Sequence, residues 1–419
     1  MIVIEFHHIV AFAVALIVSF FATPVARRIA VNVGAVNIPG DSRRIHKNPM
    51  PLLGGLAIII GFILAIVYSF ATKNIKVFVG YLVKPKTLGL LLGVFIIIIL
   101  GIVDDIKPLR ARVKFPVQLL AAIIVVATGT RIIAISKPFQ ATVALHPSMM
   151  YFLGDILAFI ISVFWIVGMT NAINFIDGLD GLAAGVSGIA ALTLYIVAVI
   201  RRQDDIAIIA VSLVGAIFGF LPYNFNPAKI FMGDTGATFL GFLLAIISIE
   251  GTMKSITAIA VAIPILVLGL PIFDTLFAII RRIMNGKPIG QADRGHLHHR
   301  LLDLGLSHRM SVIILYVVSG ALGLVSIALV DKGLLPSIIL LIVLFMFGIG
   351  GARNLKEVKM LPEDKRIRQK DAIEDAGLES AQLEAASGDK SHDRPSNESP
   401  GNSSVLNEEK PDTEGKEND

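Results

Sequence analysis

Cysteine is absent from all 419 residues, so neither a disulfide nor a thiolate metal centre is available to this chain. Charge is scarce as well. Only 16% of residues are Asp, Glu, Lys or Arg, against about 25% in an average soluble domain, while 55% are hydrophobic. With a mean hydropathy of +0.77, the composition excludes an ordinary soluble domain and predicts an all-α polytopic membrane protein. The lipid bilayer is therefore an expected partner, and no nucleic acid is. A cleaved leader is not expected either. The first apolar run follows MIVIEFHH, which holds no Lys or Arg, and its basic flank, Arg27 and Arg28, comes afterwards. That order puts the N-terminus outside and the first basic loop inside.

What the chain does have is a series of apolar runs close to bilayer length, ~20 residues each. They fall near 8–26, 53–71, 88–103, 116–134, 151–170, 182–200, 206–222, 237–249, 256–280, 312–330 and 335–350. About eleven transmembrane helices leave the C-terminus cytoplasmic. Charge divides the chain in two. Residues 1–351 hold 26 Lys and Arg against 15 Asp and Glu; residues 352–419 hold 11 against 17. The expected organisation is a transmembrane catalytic domain over 1–351 and an acidic, mostly disordered cytoplasmic tail over 352–419. Acids are also sorted by side. Asp41, Asp104, Asp105, Asp177, Asp180, Asp234, Asp293 and Asp303 all fall at inner loops or inner span ends, so one face of the membrane carries the polar chemistry.

Four constellations on that face stand out. In GIVDDIKPLRARVKF, Asp104 and Asp105 end a span and Lys107, Arg110, Arg112 and Lys114 follow. Adjacent carboxylates at a membrane edge repel and lose solvation, so a divalent cation or the lysines must compensate them. In NAINFIDGLDG, Asn171, Asn174, Asp177 and Asp180 recur every three residues. That spacing drifts by ~60° per step on an α-helix and keeps the four on one side of the segment. Grouped hard oxygens of this kind suit Mg²⁺, and capping would account for only one of them. In PYNFNPAKIFMGDTG, Asn224 and Phe231 lead to Asp234 at a helix start, where backbone N–H groups can bind anionic oxygen. The longest inner loop, from Arg281 to Arg309, concentrates Arg282, Lys287, Arg294 and Arg300 with His296, His298 and His299. No Cys or HxxxH spacing supports zinc there, and a phosphate-binding basic loop fits better. One further acid, Asp274, lies inside the ninth run, either as a functional group or as a buried partner steadying a broken helix near Pro264 and Pro271.

Carboxylates, Mg²⁺ and nearby cations are equipment for phosphoryl transfer, and the spans imply that one reactant is a lipid. DGLDGLAAG begins like the motif of the CDP-alcohol phosphotransferases, but Gly185 stands where that motif needs arginine, and its downstream acids are missing. The resemblance that holds is to the polyprenyl-phosphate N-acetylhexosamine-1-phosphate transferases. It covers about residues 1–350 and rests on VDD at 103–105, NAINFIDGLDGLA at 171–183, NPAKIFMGDTG at 226–236 and GHLHHRLL at 295–302. The HLHH form is similar to the branch that uses UDP-GlcNAc; the branch using UDP-MurNAc-pentapeptide typically has three consecutive histidines, where this chain has Leu297 between His296 and His298.

The resemblance implies a plasma-membrane enzyme with a cytoplasmic active site that makes undecaprenyl-diphosphate-GlcNAc and UMP from UDP-GlcNAc and undecaprenyl phosphate. This is the first membrane step of a glycan such as teichoic acid or an O-antigen-type lipid. The implied cofactor is Mg²⁺, with Mn²⁺ as a substitute. Asp234 would be the main metal ligand and Asn174 a second. Phe231 would stack on uracil, with Asp180 as its hydrogen-bonding partner, and Asn171, Asn224 and Asp177 would line the nucleotide site. Asp104 and Asp105 match the catalytic pair, Lys107 and Lys114 would hold lipid phosphate, and His296, His298, His299 and Arg282 the diphosphate or sugar, with His296 counted as catalytic. An aspartate base is not required by the chemistry, because a phosphate monoester with a second pKa near ~6 is already largely dianionic at pH 7. Relatives often read P-R-x-G-G in the first loop, whereas this chain reads Pro51-Leu52-Leu53-Gly54-Gly55, which leaves any phosphate role there to Arg43, Arg44 or Lys47. The rivals are a muramoyl-pentapeptide phosphotransferase, an ion-coupled transporter and a cell-wall scaffold. A transporter would usually show an internal repeat and midplane charges, and the chain shows no repeat. A homodimer is an open arrangement.

Overall fold

A computed structural model of the chain describes residues 5–37, 49–73, 80, 82–133, 147–253, 258–286 and 296–331, with 335, 338 and 342 singly. These residues all belong to one compact unit, Met1–Met346. The acidic tail, the run at 335–350 as a helix, the first-loop residues Asp41, Arg43, Arg44, His46 and Lys47, and Lys287, Asp293 and Arg294 lie outside the described residues.

The architecture is all-α and polytopic. In chain order the helices are α1 (Phe6–Asn32), α2 (Gly54–Lys73), α3 (Pro85–Ile106), α4 (Ala111–Ala127), α5 (Pro147–Ile176), α6 (Leu182–Ile200), α7 (Asp204–Asn224), α8 (Gly233–Gly251), α9 (Ala258–Val267), α10 (Gly269–Met284), α11 (Leu297–Asp303) and α12 (His308–Asp331). A two-residue antiparallel ladder joins β1 (Val36–Asn37) to β2 (Met50–Pro51). Among the described residues, eight helices are long and apolar enough to cross a membrane, and the bent pair α9–α10 supplies up to one more. The short helix α4, at 17 residues, covers only about 25 Å at 1.5 Å per residue. It starts five residues earlier than its apolar run because Arg112 and Lys114 ride in its first turns.

The expected ninth span, 256–280, is broken: α9 and α10 meet at 79°. Pro271 has no N–H to offer the carbonyl of Val267, so the hydrogen-bond ladder cannot run through the junction. Beyond the break α10 buries Asp274, Ala278 and Arg282, spaced four apart along one stripe, and exposes Phe273, Leu276, Phe277 and Ile280 on the other.

Helix α8 is the centre of the bundle. Of its most apolar stretch, 89% is buried, and it packs against α2, α3, α5 and α6. Close approach is made possible by glycine. A Cβ on Gly101 of α3 would lie 2.4 Å from Thr235 Cα, and one on Gly55 of α2 would lie 2.2 Å from Gly236 N. In a bilayer, where apolar surface gives no net drive for helices to associate, such backbone proximity is a main source of packing energy. α3 and α8 run antiparallel and touch at both ends: Lys86 Nζ meets Glu250 Oε2 at 2.5 Å, and Asp105 meets Asp234 and Thr235.

Candidate active site

Successive residues on a helix point about 100° apart, so Asp104 and Asp105 at the end of α3 serve different neighbours. Asp105 caps α8 from outside. Its Oδ1 accepts the Asp234 N–H at 2.8 Å, and its Oδ2 accepts the Thr235 N–H at 3.0 Å and the Thr235 hydroxyl at 2.6 Å. A carboxylate at a helix N-terminus satisfies donors that the helix leaves open and complements its dipole. The chain reaches this cap through Gly233, which has φ +72° and no room for a side chain; a Cβ there would lie 2.5 Å from Asp105 Oδ2. Asp105, expected beside Asp104 as half of a catalytic pair, is thus committed to positioning Asp234.

Asp104 Oδ1 accepts the Leu109 N–H at 2.6 Å, and its Oδ2 contacts the Lys114 ammonium. The same ammonium lies 2.5 Å from Asp234 Oδ2, and Asn174 Nδ2 donates to Asp234 Oδ1 at 3.0 Å. Four helices, α3, α4, α5 and α8, therefore bring Asp104, Lys114, Asn174 and Asp234 to one point. Burial opposes the Lys114 charge, but Asp234 and Asp104 outweigh it and hold its pKa above the ordinary lysine value. Asp177, in the turn after α5, is half-buried. Burial first, and then the charges of Asp234, Asp105 and Asp180, push its carboxyl up to about 8. Carboxylates outnumber the cation here, which is the electrostatic condition for a divalent ion. Among the described residues no set of three or more His, Asp or Glu forms an all-protein metal cage. The donor chemistry fits Mg²⁺, which takes one or two carboxylates and completes its shell with water and substrate phosphate.

The other residues of NAINFIDGLDG diverge, contrary to the expectation that they share one side. Asn171 gives its amide to Gln118 Oε1 at 2.8 Å and to the Val167 carbonyl at 2.8 Å, facing α4. Asp180 Oδ2 accepts from Asn226 Nδ2 at 3.1 Å and from the Ala228 N–H at 3.0 Å. Asn224 Oδ1 accepts the Gly181 N–H at 3.1 Å, and its Nδ2 donates to the Ile230 carbonyl at 3.0 Å. The helix ends at Ile176, and Gly181, with φ +79°, redirects the chain, so helical periodicity no longer governs where Asp180 points. Asp180 and Asn224 fasten the turn at 177–181 to the 226–230 loop. Phe231 is held by its backbone, its N–H on Pro51 O at 2.9 Å and its carbonyl on the Gly54 N–H at 3.0 Å. The Gly54-Gly55 pair, a weak signal in sequence, thus docks the start of α2 onto the loop that carries Asp234. Lys107 is exposed just after α3.

A second wall is built from α10 and α11. Asp274 Oδ2 pairs with His296 Nδ1 at 2.8 Å, and its Oδ1 accepts the Leu297 N–H at 2.7 Å. Asp274 therefore bonds the start of α11, holding a histidine there, rather than bridging the break near Pro264 and Pro271. The His296 and His298 rings stack at 5.8 Å, and His299 lies 4.3 Å from His298. Burial, and then the neighbouring His299, push His298 down to about 4. This wall leans on the first: the Phe175 ring is 6.3 Å from His296, and a Cβ on Gly178 would lie 2.4 Å from His298 Nε2. Arg282 is buried on the same stripe of α10 as Asp274. The Tyr316 hydroxyl of α12 donates to the Gly181 carbonyl at 2.5 Å, and its ring sits where a Gly185 side chain would be. The glycine that breaks the CDP-alcohol motif is therefore the seat of a tyrosine. Gln118 and Tyr316 have no motif-like setting, and the role of Thr235, inside NPAKIFMGDTG, is not legible from the motif.

Residues 87–252 match the family described as glycosyl transferase family 4. The chain is 43% identical over 359 residues to a probable undecaprenyl-phosphate N-acetylglucosaminyl 1-phosphate transferase of Bacillus subtilis, covering 85% of this chain and 95% of that one. It is 33% identical to a decaprenyl-phosphate N-acetylglucosaminephosphotransferase of Mycolicibacterium smegmatis, over 76% and 82% of the two chains. It is 32% identical to a phospho-N-acetylmuramoyl-pentapeptide-transferase of Rubrobacter xylanophilus, over 67% and 83%. Four polar segments meet at one end of a helical bundle, and relatives at 43% and 33% identity match 85% and 76% of this chain: the chain belongs to glycosyl transferase family 4.

Proposed function

We propose that this chain transfers GlcNAc-1-phosphate from UDP-GlcNAc to undecaprenyl phosphate, releasing UMP, as the first membrane step of an envelope polysaccharide. The observation that carries the reading is the meeting of Asp104, Lys114, Asn174 and Asp234 from four helices, beside a histidine wall. The choice of donor follows the B. subtilis relative, at 43% identity, over the muramoyl-pentapeptide one, at 32%.

In the reaction a phosphate oxygen of the lipid forms a bond to the β-phosphorus of the nucleotide sugar. The bond from that phosphorus to the oxygen bridging the α-phosphate breaks, and the oxygen leaves with UMP. Asp234 and Asn174, with Asp104 beside them, would hold Mg²⁺, which when bound neutralises diphosphate charge. Lys114 and the exposed Lys107 offer cations to the lipid phosphate. His296, oriented by Asp274, with His298, His299 and Arg282, offers donors to the diphosphate and sugar. The acceptor dianion needs no base, so Asp104 serves to hold Lys114 in place. Asp105 acts one step away, by fixing the α8 N-terminus.

We further propose that the bundle crosses the plasma membrane about eleven times with the N-terminus outside; eight candidate spans, or nine with the bent pair, lie among the described residues. On that reading both walls lie at the cytoplasmic face, where a soluble nucleotide sugar arrives. The test is UMP release by membranes supplied with polyprenyl phosphate and, in turn, UDP-GlcNAc, UDP-GalNAc or UDP-MurNAc-pentapeptide, with and without Mg²⁺. We expect Mg²⁺-dependent release with UDP-GlcNAc. Full activity in Asp234→Ala would overturn the metal assignment, and release only with the pentapeptide donor would overturn the substrate.

A further inference from the structure

Helix α12 grips two of the segments that frame the site. Arg309 and Tyr316 are seven residues apart, about two turns of the helix, with the buried Val312 between them on the same side. Arg309 Nε donates to the Asn226 carbonyl at 3.0 Å, and the Tyr316 hydroxyl donates to the Gly181 carbonyl at 2.5 Å. Both grips converge on Asp180. Asn226 gives its side-chain amide to Asp180 Oδ2 at 3.1 Å, and Gly181 is the next residue in the chain. Gly181 is held from two sides, its N–H by Asn224 Oδ1 and its carbonyl by Tyr316.

Satisfying a stranded carbonyl does not account for the tyrosine. Gly181 O already accepts the Gly185 N–H at 2.8 Å at the start of α6, so the hydroxyl adds a tether between helices. Room is kept for it: a Cβ on Gly185 would lie 2.0 Å from Tyr316 Cζ. Helix α12 is also tied to the histidine wall. Only residues 304–307 separate it from α11, the Gly305 N–H closes that turn on Leu302 O at 2.7 Å, and the Ser307 hydroxyl accepts the Met310 N–H at 3.2 Å. One helix thus links the histidines, the 177–181 turn, whose Gly178 lies against His298, and the 226–230 loop, which leads to Asp234. We infer that Tyr316 and Arg309 are positioning residues for the nucleotide-sugar donor, acting through these two segments. The inference rests on the transferase reading above, in which the donor lies against the histidines and the lipid phosphate beside Lys114.

Two measurements on the full chain test it. Hydrogen exchange in detergent, without substrate, reads the hold itself, and initial rates of UMP release read its use. Tyr316→Phe keeps the ring in its seat and removes only the donor. Exchange over residues 177–185 should rise about fivefold. KM for UDP-GlcNAc should rise about fivefold, with kcat and the KM for polyprenyl phosphate within about twofold of the parent. Arg309→Gln, at an exposed side chain, should act the same way over residues 226–231, by about threefold in each readout, and carries the test should Tyr316→Phe fail to fold. Tyr195→Phe, which removes a hydroxyl near His8 toward the other end of α6, should move neither readout. Unchanged exchange in both cleft-side variants, a joint rise of both KM values, or a fall in kcat alone would overturn the role. Faster exchange with the donor KM unmoved would overturn it too, because the turn would then be held without serving the donor. A parent that releases no UMP from any donor, with exchange still faster in the variants, would overturn the transferase reading and the donor with it, while confirming the hold of α12 on both segments.

Discussion

Helices α3 and α8 meet at both of their ends, and the two ends are built differently. At one, among the described residues, Lys86 pairs with Glu250, a cation against a carboxylate. At the other, Asp104 and Asp234 converge on a single lysine, with Asp105 and Asp177 beside them. The first is a balanced clasp that ties two antiparallel helices together. The second leaves negative charge uncompensated in a partly buried place, which costs folding energy unless a ligand of opposite sign is bound. The candidate site lies at the end where the charges do not balance.

The largest effect expected from disturbing that contrast comes from Asp105. Asp105→Asn removes the charge from three hydrogen bonds at the α8 N-terminus and should lower stability by about 3 kcal/mol, read by thermal unfolding in detergent. It should also cut UMP release about 100-fold, because Asp234 moves with the helix start. Stability loss without loss of activity would show that Asp234 is held by something else. Next in size is Asp274→Asn, which weakens the hold on His296. We expect kcat to fall about tenfold with KM for the nucleotide sugar little changed and the protein still folded.

The two walls should then differ in the sign of their pH dependence. Asp177 has its folded pKa raised to about 8, so the native chain keeps a proton that the unfolded chain has lost, and stability falls as pH rises from about 4 through 8. His298 has its folded pKa lowered to about 4, so the unfolded chain gains a proton that the native one refuses, and stability falls as pH drops from about 6.5 to 4. Asp177→Asn and His298→Asn should each flatten one of these slopes and leave the other. Unfolding midpoints across pH 4–9 check both, and slopes of the same sign would refute the assignment. The smallest effect belongs to the balanced end: Glu250→Gln should cost about 1 kcal/mol or less and leave UMP release within about twofold.

Much of this was legible in the residues. Ten of the expected apolar runs coincide with helices or with the bent pair, because bilayer length and apolar composition leave few alternatives. Asp104, Asp234 and Asn174, read as a group from motifs far apart in sequence, do meet. The three-residue spacing of Asn171, Asn174, Asp177 and Asp180 misled, since it assumed one continuous segment. Asn171, within α5, faces Gln118, and beyond the helix stop at Ile176 a left-handed glycine turns Asp180 to the 226–230 loop, while Asn174 and Asp177 stay beside Asp234. Gln118 and Tyr316 carried no local signal because their partners are 53 and 135 residues away, and the role of Thr235 within GDTG was hidden because its partner is 130 residues away.

The sequence by itself determined that the chain lives in a membrane, that its polar groups gather at one face, and which side chains are chemically able to handle phosphate and a divalent ion. These follow from transfer energies and donor types, which are properties of single residues and short runs. Only the tertiary structure decided the division of labour. Two adjacent aspartates part, one capping α8 and one holding Lys114, and an acid in a broken span turns out to orient a histidine. Such roles depend on which backbone donors and cations arrive from other helices, and close packing through glycine, rather than local periodicity, determines that.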